Sequence, residues 1–170
     1  MLTYYHASPV GRLEITSDGA VVLEILFADA RHKPGRNRPA SDAEMPDAVR
    51  QCIRELDEYF AGQRQAFGFP YRLEGTDFQL NVWHELEKIP FGETISYGEQ
   101  ARRIGNKNAA RAVGLCNGNN PISIVVPCHR VVGANGSLTG YGGDLWVKEW
   151  LLKHEARHSG RAAAEQMSLF

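Results

Sequence analysis

Cys128 lies in the run Val126-Pro127-Cys128-His129-Arg130-Val131-Val132, directly behind the apolar residues Ile122, Ile124, Val125 and Val126. A thiol attacks only as its thiolate, so a buried cysteine beside a proton acceptor and a guanidinium has the neighbours that covalent chemistry uses. A structural role in the core competes with that reading, because free cysteine is among the most buried residue types.

The other two cysteines, Cys52 and Cys116, make the count odd and the spacing wide. With no C-x-x-C pair and no companion histidines at ligand spacing, neither disulfides nor a metal site is expected. The chain has 170 residues, 43% of them hydrophobic, which suffices for a core in one or two small domains. Twenty acidic against 19 basic side chains give a net charge of −1, so any nucleic-acid surface must be local. No stretch approaches the roughly 18 apolar residues of a membrane span, and a reducing, cytoplasmic setting is expected.

The elements that position Cys128 divide into an α/β chain of two parts. Residues 2–7, 11–17 and 21–27 read as a short antiparallel meander, with turn signals at Ser8-Pro9 and Ser17-Asp18-Gly19. A polar, basic surface loop follows over residues 31–39. From Asp47 the positions Val49, Cys52, Ile53, Leu56, Tyr59 and Phe60 recur at three- and four-residue steps, predicting a helix with Cys52 on its structural face. Phe67, Phe69 and Tyr71 alternate as one more strand before a boundary near Gly75. Residues 1–75 form this small strand-and-helix domain.

Residues 76–155 form a mostly helical second domain. Thr76-Asp77-Phe78-Gln79 is a capping-box pattern ahead of Val82, Trp83, Leu86 and Ile89, and Ser96-Tyr97-Gly98-Glu99 repeats it ahead of Ala101 and Ile104. Gly105 stops the second helix. In the next, Ala109, Ala112, Val113 and Cys116 share one face while Arg111, Gly114 and Gly118 take the other, and the two helices make a helix-turn-helix candidate. Gly114 inside a helix costs about 1 kcal/mol relative to Ala, which a close approach would offset. Arg102, Arg103, Lys107 and Arg111 fall within ten residues and point to a polyanion. A Leu- and Trp-rich helix over 144–155 closes the domain, and residues 156–170 read as a disordered tail.

Phe78-Gln79 with Val82-Trp83, Ile89-Pro90, Ser96-Tyr97-Gly98, Arg111-Ala112-Val113-Gly114, Asn120-Pro121, Pro127-Cys128-His129-Arg130, Gly140-Tyr141 and Leu151-Leu152 together resemble the O6-alkylguanine-DNA alkyltransferases, most closely the stand-alone bacterial type. The resemblance implies direct-reversal repair: irreversible transfer of an alkyl group from O6 of guanine, and less readily O4 of thymine, onto Cys128. It implies a Glu155–His129–water–Cys128 relay braced by Asn120. Tyr97, Val131, Tyr141 and Gly142 would meet the substrate base. Arg111 would fill the gap left by a flipped nucleotide, with Ala109, Ala110, Ala112 and Gly114 as the small helix face in the minor groove. No metal or cofactor is implied, and the partner is double-stranded DNA bearing O6-alkylguanine, met by a monomer. Gly142 stands where some relatives carry Ser, Asp144 replaces the second glycine of a usual pair, and Lys107 stands where many members have proline. The competing expectation is an alkyltransferase-like protein that binds lesions without transfer; such proteins carry another residue at the cysteine position.

Overall fold

Strands β1 (Leu2–Ser8), β2 (Gly11–Ser17) and β3 (Val22–Phe27) form an antiparallel sheet in the computed structural model, which describes residues 1–28, 42–139, 141 and 144–160. Leu13, Ile15, Val22 and Ile25 are fully buried, and β2 is buried on both faces from Leu13 to Ser17. Helix α1 (Asp47–Phe60) buries Val49, Cys52, Leu56 and Tyr59. The basic loop over 31–39 lies outside the described residues.

The strand expected over 67–71 does not form. Tyr71 makes only an isolated bridge to Val22, with Val22 N–H donating to the Pro70 carbonyl (3.0 Å). Pro70 lacks the N–H a ladder needs, and the Gly68 and Phe69 amides donate instead to the buried Glu55 carboxylate, at 2.7 and 3.3 Å. The chain divides into a first unit of Met1–Glu74 with Pro121–Ser123 and a second of Gly75–Asn120 with Ile124–Phe170. Pro121–Ser123 joins the first unit through backbone bonds of 2.8 and 3.1 Å to Ile25. The next residue, Ile124, is buried at φ 73°, a left-handed conformation that a β-branched side chain adopts only under strain.

In the second unit α2 (Asp77–Leu86) starts on a complete capping box: Thr76 Oγ1 accepts from Gln79 N–H (3.2 Å) and Gln79 Oε1 from Thr76 N–H (2.9 Å). Helix α3 (Tyr97–Arg103) has only half of its box. Ser96 Oγ accepts from Glu99 N–H, but the Glu99 carboxylate is held by Arg102 and Arg103. Gly105, at φ +82°, ends that segment, and α4 (Ala110–Gly118) follows. Gln100 and Asn117, both buried, exchange reciprocal amide bonds of 3.1 and 2.8 Å between α3 and α4. Trp83 Nε1 donates to the Cys116 carbonyl (2.9 Å), tying α2 to the same pair.

Short strands β4 (Ile95–Ser96) and β5 (Val131–Val132) pair in parallel, which brings Tyr97 and the Cys128 turn to one side. Helix α5 (Leu145–His158) completes the unit. It runs past the expected limit at 155, because Ala156 is buried and extends the packed face; residues 161–170 lie outside the described ones. Among the described residues no helix is long and apolar enough to cross a membrane.

Candidate active site

Cys128 opens a single 3-10 turn, Cys128–Arg130, between Pro127 and β5, and is 4% exposed. Asn120 Nδ2 donates to the Val126 carbonyl (2.7 Å) and to Cys128 Sγ (3.2 Å). Burial pushes the thiol pKa up, and the Asn120 donor and the charge of Lys148 oppose it. The Cys52 and Cys116 thiols are also raised by burial, and Glu55 raises Cys52 further. Of the three, Cys128 is the one met by both a donor and a cation.

His129 follows in the turn and is fully buried. Its Nε2 lies 2.8 Å from Glu155 Oε2, which assigns the Nε2–H tautomer, with Nδ1 as the acceptor. Nδ1 is buried and meets no protein partner among the described residues. Burial pulls the His129 pKa down, and Glu155 opposes it. For Glu155 burial works upward, but His129 and Arg130 outweigh it and hold the carboxyl well below the usual range. Glu155 sits in the last turn of α5, where a negative charge is disfavoured by the helix dipole, and these two partners offset that.

Two further residues belong to the surroundings of the site: Arg130, expected only as a guanidinium beside Cys128, and Lys148, which was not expected. Arg130 grips Glu155 through Nε (2.6 Å) and Nη2 (3.0 Å). Lys148 is fully buried, and its Nζ donates to the Thr139 carbonyl (2.8 Å) and to Tyr97 Oη (3.3 Å). It also lies 5.6 Å from the Tyr97 ring centroid and 5.9 Å from that of Tyr141. Burial pulls its pKa down to about 8, against a counter-pull from Cys128. A signal for Lys148 was present in the sequence: 148, 151, 152 and 155 recur at helical steps, and all four are buried.

Tyr97 Oη donates to the Thr139 carbonyl, and its pKa is raised by burial. Val131 is buried in β5, and the Tyr141 phenol is raised well above its ordinary value by burial, then by Cys128 and Glu155. Asn120, Cys128, His129, Glu155, Tyr97, Val131 and Tyr141 therefore all belong to the second unit. Gly142 lies outside the described residues.

On α4, Arg111 and Ala112 are exposed and Ala110 is half-buried. The expected faces need correction at three places. Ala109 is only 9% exposed and packs inward at the start of the helix, so it offers nothing to a groove. Ala112 belongs to the exposed side. Gly114 faces the Tyr97 ring with 3.6 Å left for an added Cβ, an ordinary contact, so no close approach there requires glycine. Of the four clustered cations, Arg102 and Arg103 are held by Glu99. Leu115, 70% exposed and one turn beyond Arg111, was missed, although the i, i+4 spacing places it on the same face. Among the described residues no group of three His, Cys, Asp or Glu is placed to hold a metal ion.

The 6-O-methylguanine DNA methyltransferase models match twice, the ribonuclease-like domain over residues 1–73 and the DNA binding domain over 77–157. A methylated-DNA–protein-cysteine methyltransferase of Mycolicibacterium paratuberculosis is 48% identical over 152 residues, 89% of this chain and 90% of that one. The chain belongs to this methyltransferase family. A second methylated-DNA–protein-cysteine methyltransferase, from Methanosarcina acetivorans, is 47% identical over 87% of this chain and 94% of its own. The crystal structure of Mycobacterium tuberculosis OGT in complex with DNA superposes with a TM-score of 0.84 at 41% identity, covering 98% of this chain and 99% of that one. Similarity to these methyltransferases thus extends over both units.

Proposed function

We propose that Cys128 is the alkyl acceptor of this methyltransferase and that Asn120, His129 and Glu155 activate it. The protein is an enzyme of direct-reversal DNA repair, moving an alkyl group from DNA to its own cysteine. The observation that carries the residue assignment is the surroundings of Cys128, with the Asn120 donor at Sγ and the Glu155-paired His129 next in the same turn.

With guanine alkylated at O6, the thiol proton passes through a water to His129 Nδ1, and Glu155 stabilises the imidazolium that forms. The thiolate attacks the alkyl carbon, the S–C bond forms as the C–O6 bond breaks, and the electron pair stays on the guanine. The guanine takes up one proton and is restored. A thioether offers water no leaving group, so each molecule acts once.

A thiol buried this deeply reaches O6 only if the nucleotide leaves the stack. Arg111, exposed on α4, fills the gap, and exposed Ala112 and half-buried Ala110 and Gly114 line the groove side. Tyr97, Val131, Tyr141 and Gly142 receive the base. The substrate is double-stranded DNA containing O6-alkylguanine, bound by a monomer, since one chain supplies every residue named.

Peptide mass spectrometry after incubation with a duplex carrying one O6-methylguanine tests this. One methyl increment on the Cys128 peptide, with guanine restored, is expected. Label on Cys52 or Cys116 would overturn the assignment, and lesion-selective binding without any increment would favour the lesion-binding alternative.

A further inference from the structure

Arg130 is the one member of the Cys128–Arg130 turn to which the reaction above gives no part, and it is also the most heavily bonded. The residue is 6% exposed. Nε lies 2.6 Å from Glu155 Oε1 and Nη2 3.0 Å from Oε2, a forked grip on the carboxylate. Nη1 donates to the Ile89 carbonyl (2.6 Å), and the guanidinium lies 5.7 Å from the Phe91 ring centroid.

Glu155 Oε2 is therefore shared between Arg130 and His129 Nε2. In a buried site a carboxylate must find a compensating positive charge. With His129 as its sole partner, the pair would be compensated by protonating the imidazole, and Nδ1 would then carry a hydrogen. A protonated Nδ1 cannot take the proton of Cys128. Arg130 supplies the positive charge permanently, so the carboxylate stays ionised beside a neutral imidazole, still oriented to receive its Nε2–H.

We propose that Arg130 is a positioning residue for alkyl transfer, which by forking Glu155 and anchoring on the Ile89 carbonyl keeps His129 neutral at rest with Nδ1 open to the thiol proton. This rests on the reading of His129 as the base. The proton count balances: one proton leaves Sγ and arrives at Nδ1, Glu155 and Arg130 keep their charges throughout, and the imidazolium later returns its proton to solvent.

The other ionisable groups around His129 are Cys128 on its own turn and Glu155 and Lys148 on α5. Tyr97 from α3 and Tyr141 lie on the Lys148 side and interact with Cys128. The turn that follows α2 contributes the Ile89 carbonyl to Arg130. Arg130 and Lys148 both lower the His129 pKa, which agrees with the geometry, but only Arg130 touches Glu155.

The test compares wild type, Arg130→Gln and Arg130→Lys in the full chain. The His129 ring is titrated by 15N NMR in unreacted protein, and single-turnover transfer is followed from a duplex with one O6-methylguanine. Arg130→Gln is expected to raise the His129 titration by about one pH unit or more, and to slow transfer about tenfold more at pH near 6 than at pH near 8.5. Arg130→Lys keeps the charge without the fork and should show a smaller shift of the same sign, which serves if the Gln variant does not fold. An unmoved His129 titration, or a loss of rate equal at all pH values in the Lys variant, overturns the proposal. Because the NMR titration needs no transfer, it is read separately from the assignment of Cys128 and His129, which fails instead if His129→Ala transfers at the wild-type rate.

Discussion

One amide group, Nδ2 of Asn120, bonds both the Val126 carbonyl and Cys128 Sγ, at 2.7 and 3.2 Å. It shapes the approach to Pro127 and meets the nucleophile at once. Hydrogen bonds to charged groups contribute about 1.5–3 kcal/mol, so Asn120→Ala should slow transfer by roughly 10- to 100-fold and raise the Cys128 pKa. The Val126 carbonyl keeps the Cys128 N–H as a donor at 2.9 Å, so the lost bond should lower stability by only about 0.5–1.5 kcal/mol. Thiol titration by pH-dependent alkylation checks this; a slowed reaction with an unmoved titration would mean that Asn120 acts through backbone shape alone.

Lys148 makes an opposite kind of prediction. Its folded pKa of about 8 lies below the ordinary 10.5, so the buried ammonium is a cost that is complete below pH 8 and relieved as pH rises from 8 towards 10.5. Lys148→Met should therefore raise stability at neutral pH, by on the order of 1–3 kcal/mol after the lost bond to Thr139, and abolish that alkaline rise. Transfer should fall about tenfold or more, because a cation facing the thiolate is gone. Urea melts from pH 7 to 10 read the first effect. Lower stability at pH 7 would contradict it.

Acid should weaken the fold in two stages. The folded pKa of His129 lies below 6.5 and that of Glu155 below 4.5, so in both windows the unfolded chain binds more protons than the folded one. Stability is then fully present above pH 6.5, declines below it as the unfolded chain takes up a proton that buried His129 does not, and declines again below 4.5 as the unfolded chain protonates the carboxyl that the folded site keeps ionised. His129→Gln should erase the upper stage and leave the lower. An unchanged slope between pH 6.5 and 4.5 in that variant would move the effect to other groups.

Arg111→Ala should impair transfer from duplex DNA more than from a single strand, since only a duplex has a stack to fill. Leu115, 70% exposed beside it, should behave likewise: Leu115→Ser is expected to weaken duplex binding by about tenfold or less and leave thermal stability within about 0.5 kcal/mol. Fluorescence anisotropy with matched duplex and single-stranded probes separates the two cases. Equal losses on both would remove the helix face from the interface.

Much of this architecture was legible in side-chain periodicity and capping residues. Thr76 with Gln79 marked the start of α2, and Gly105 the end of the α3 segment, because both act through bonds within four residues. From the residues alone the candidate site was legible only where a motif was contiguous, and Asn120, Glu155, Tyr97 and Tyr141 entered through the family resemblance. Cys128 and His129 are neighbours in sequence, whereas the Glu155–Arg130 fork joins residues 25 apart, a distance that periodicity does not encode. The strand expected at 67–71 failed for a related reason: alternation of aromatics signals a face, but the competing acceptor, Glu55, lies on the preceding helix. Ala109 was given two places, because an alanine fits a core and a groove face equally well: the helical steps set it with Val113 and Cys116, where it is buried, and the resemblance set it on the groove face.

The reciprocal amide pair Gln100–Asn117 has a consequence for how a duplex is met. Each of these buried groups would lose two good bonds if α3 slid or rotated against α4, with no water at hand to replace them. Tyr97 at the head of α3 and Arg111 on α4 are thus fixed on a single stiff block, like two teeth of one key. Little disorder is left to freeze when that block seats against a duplex, and the selectivity for damage falls to the base that must swing rather than to the protein that must bend.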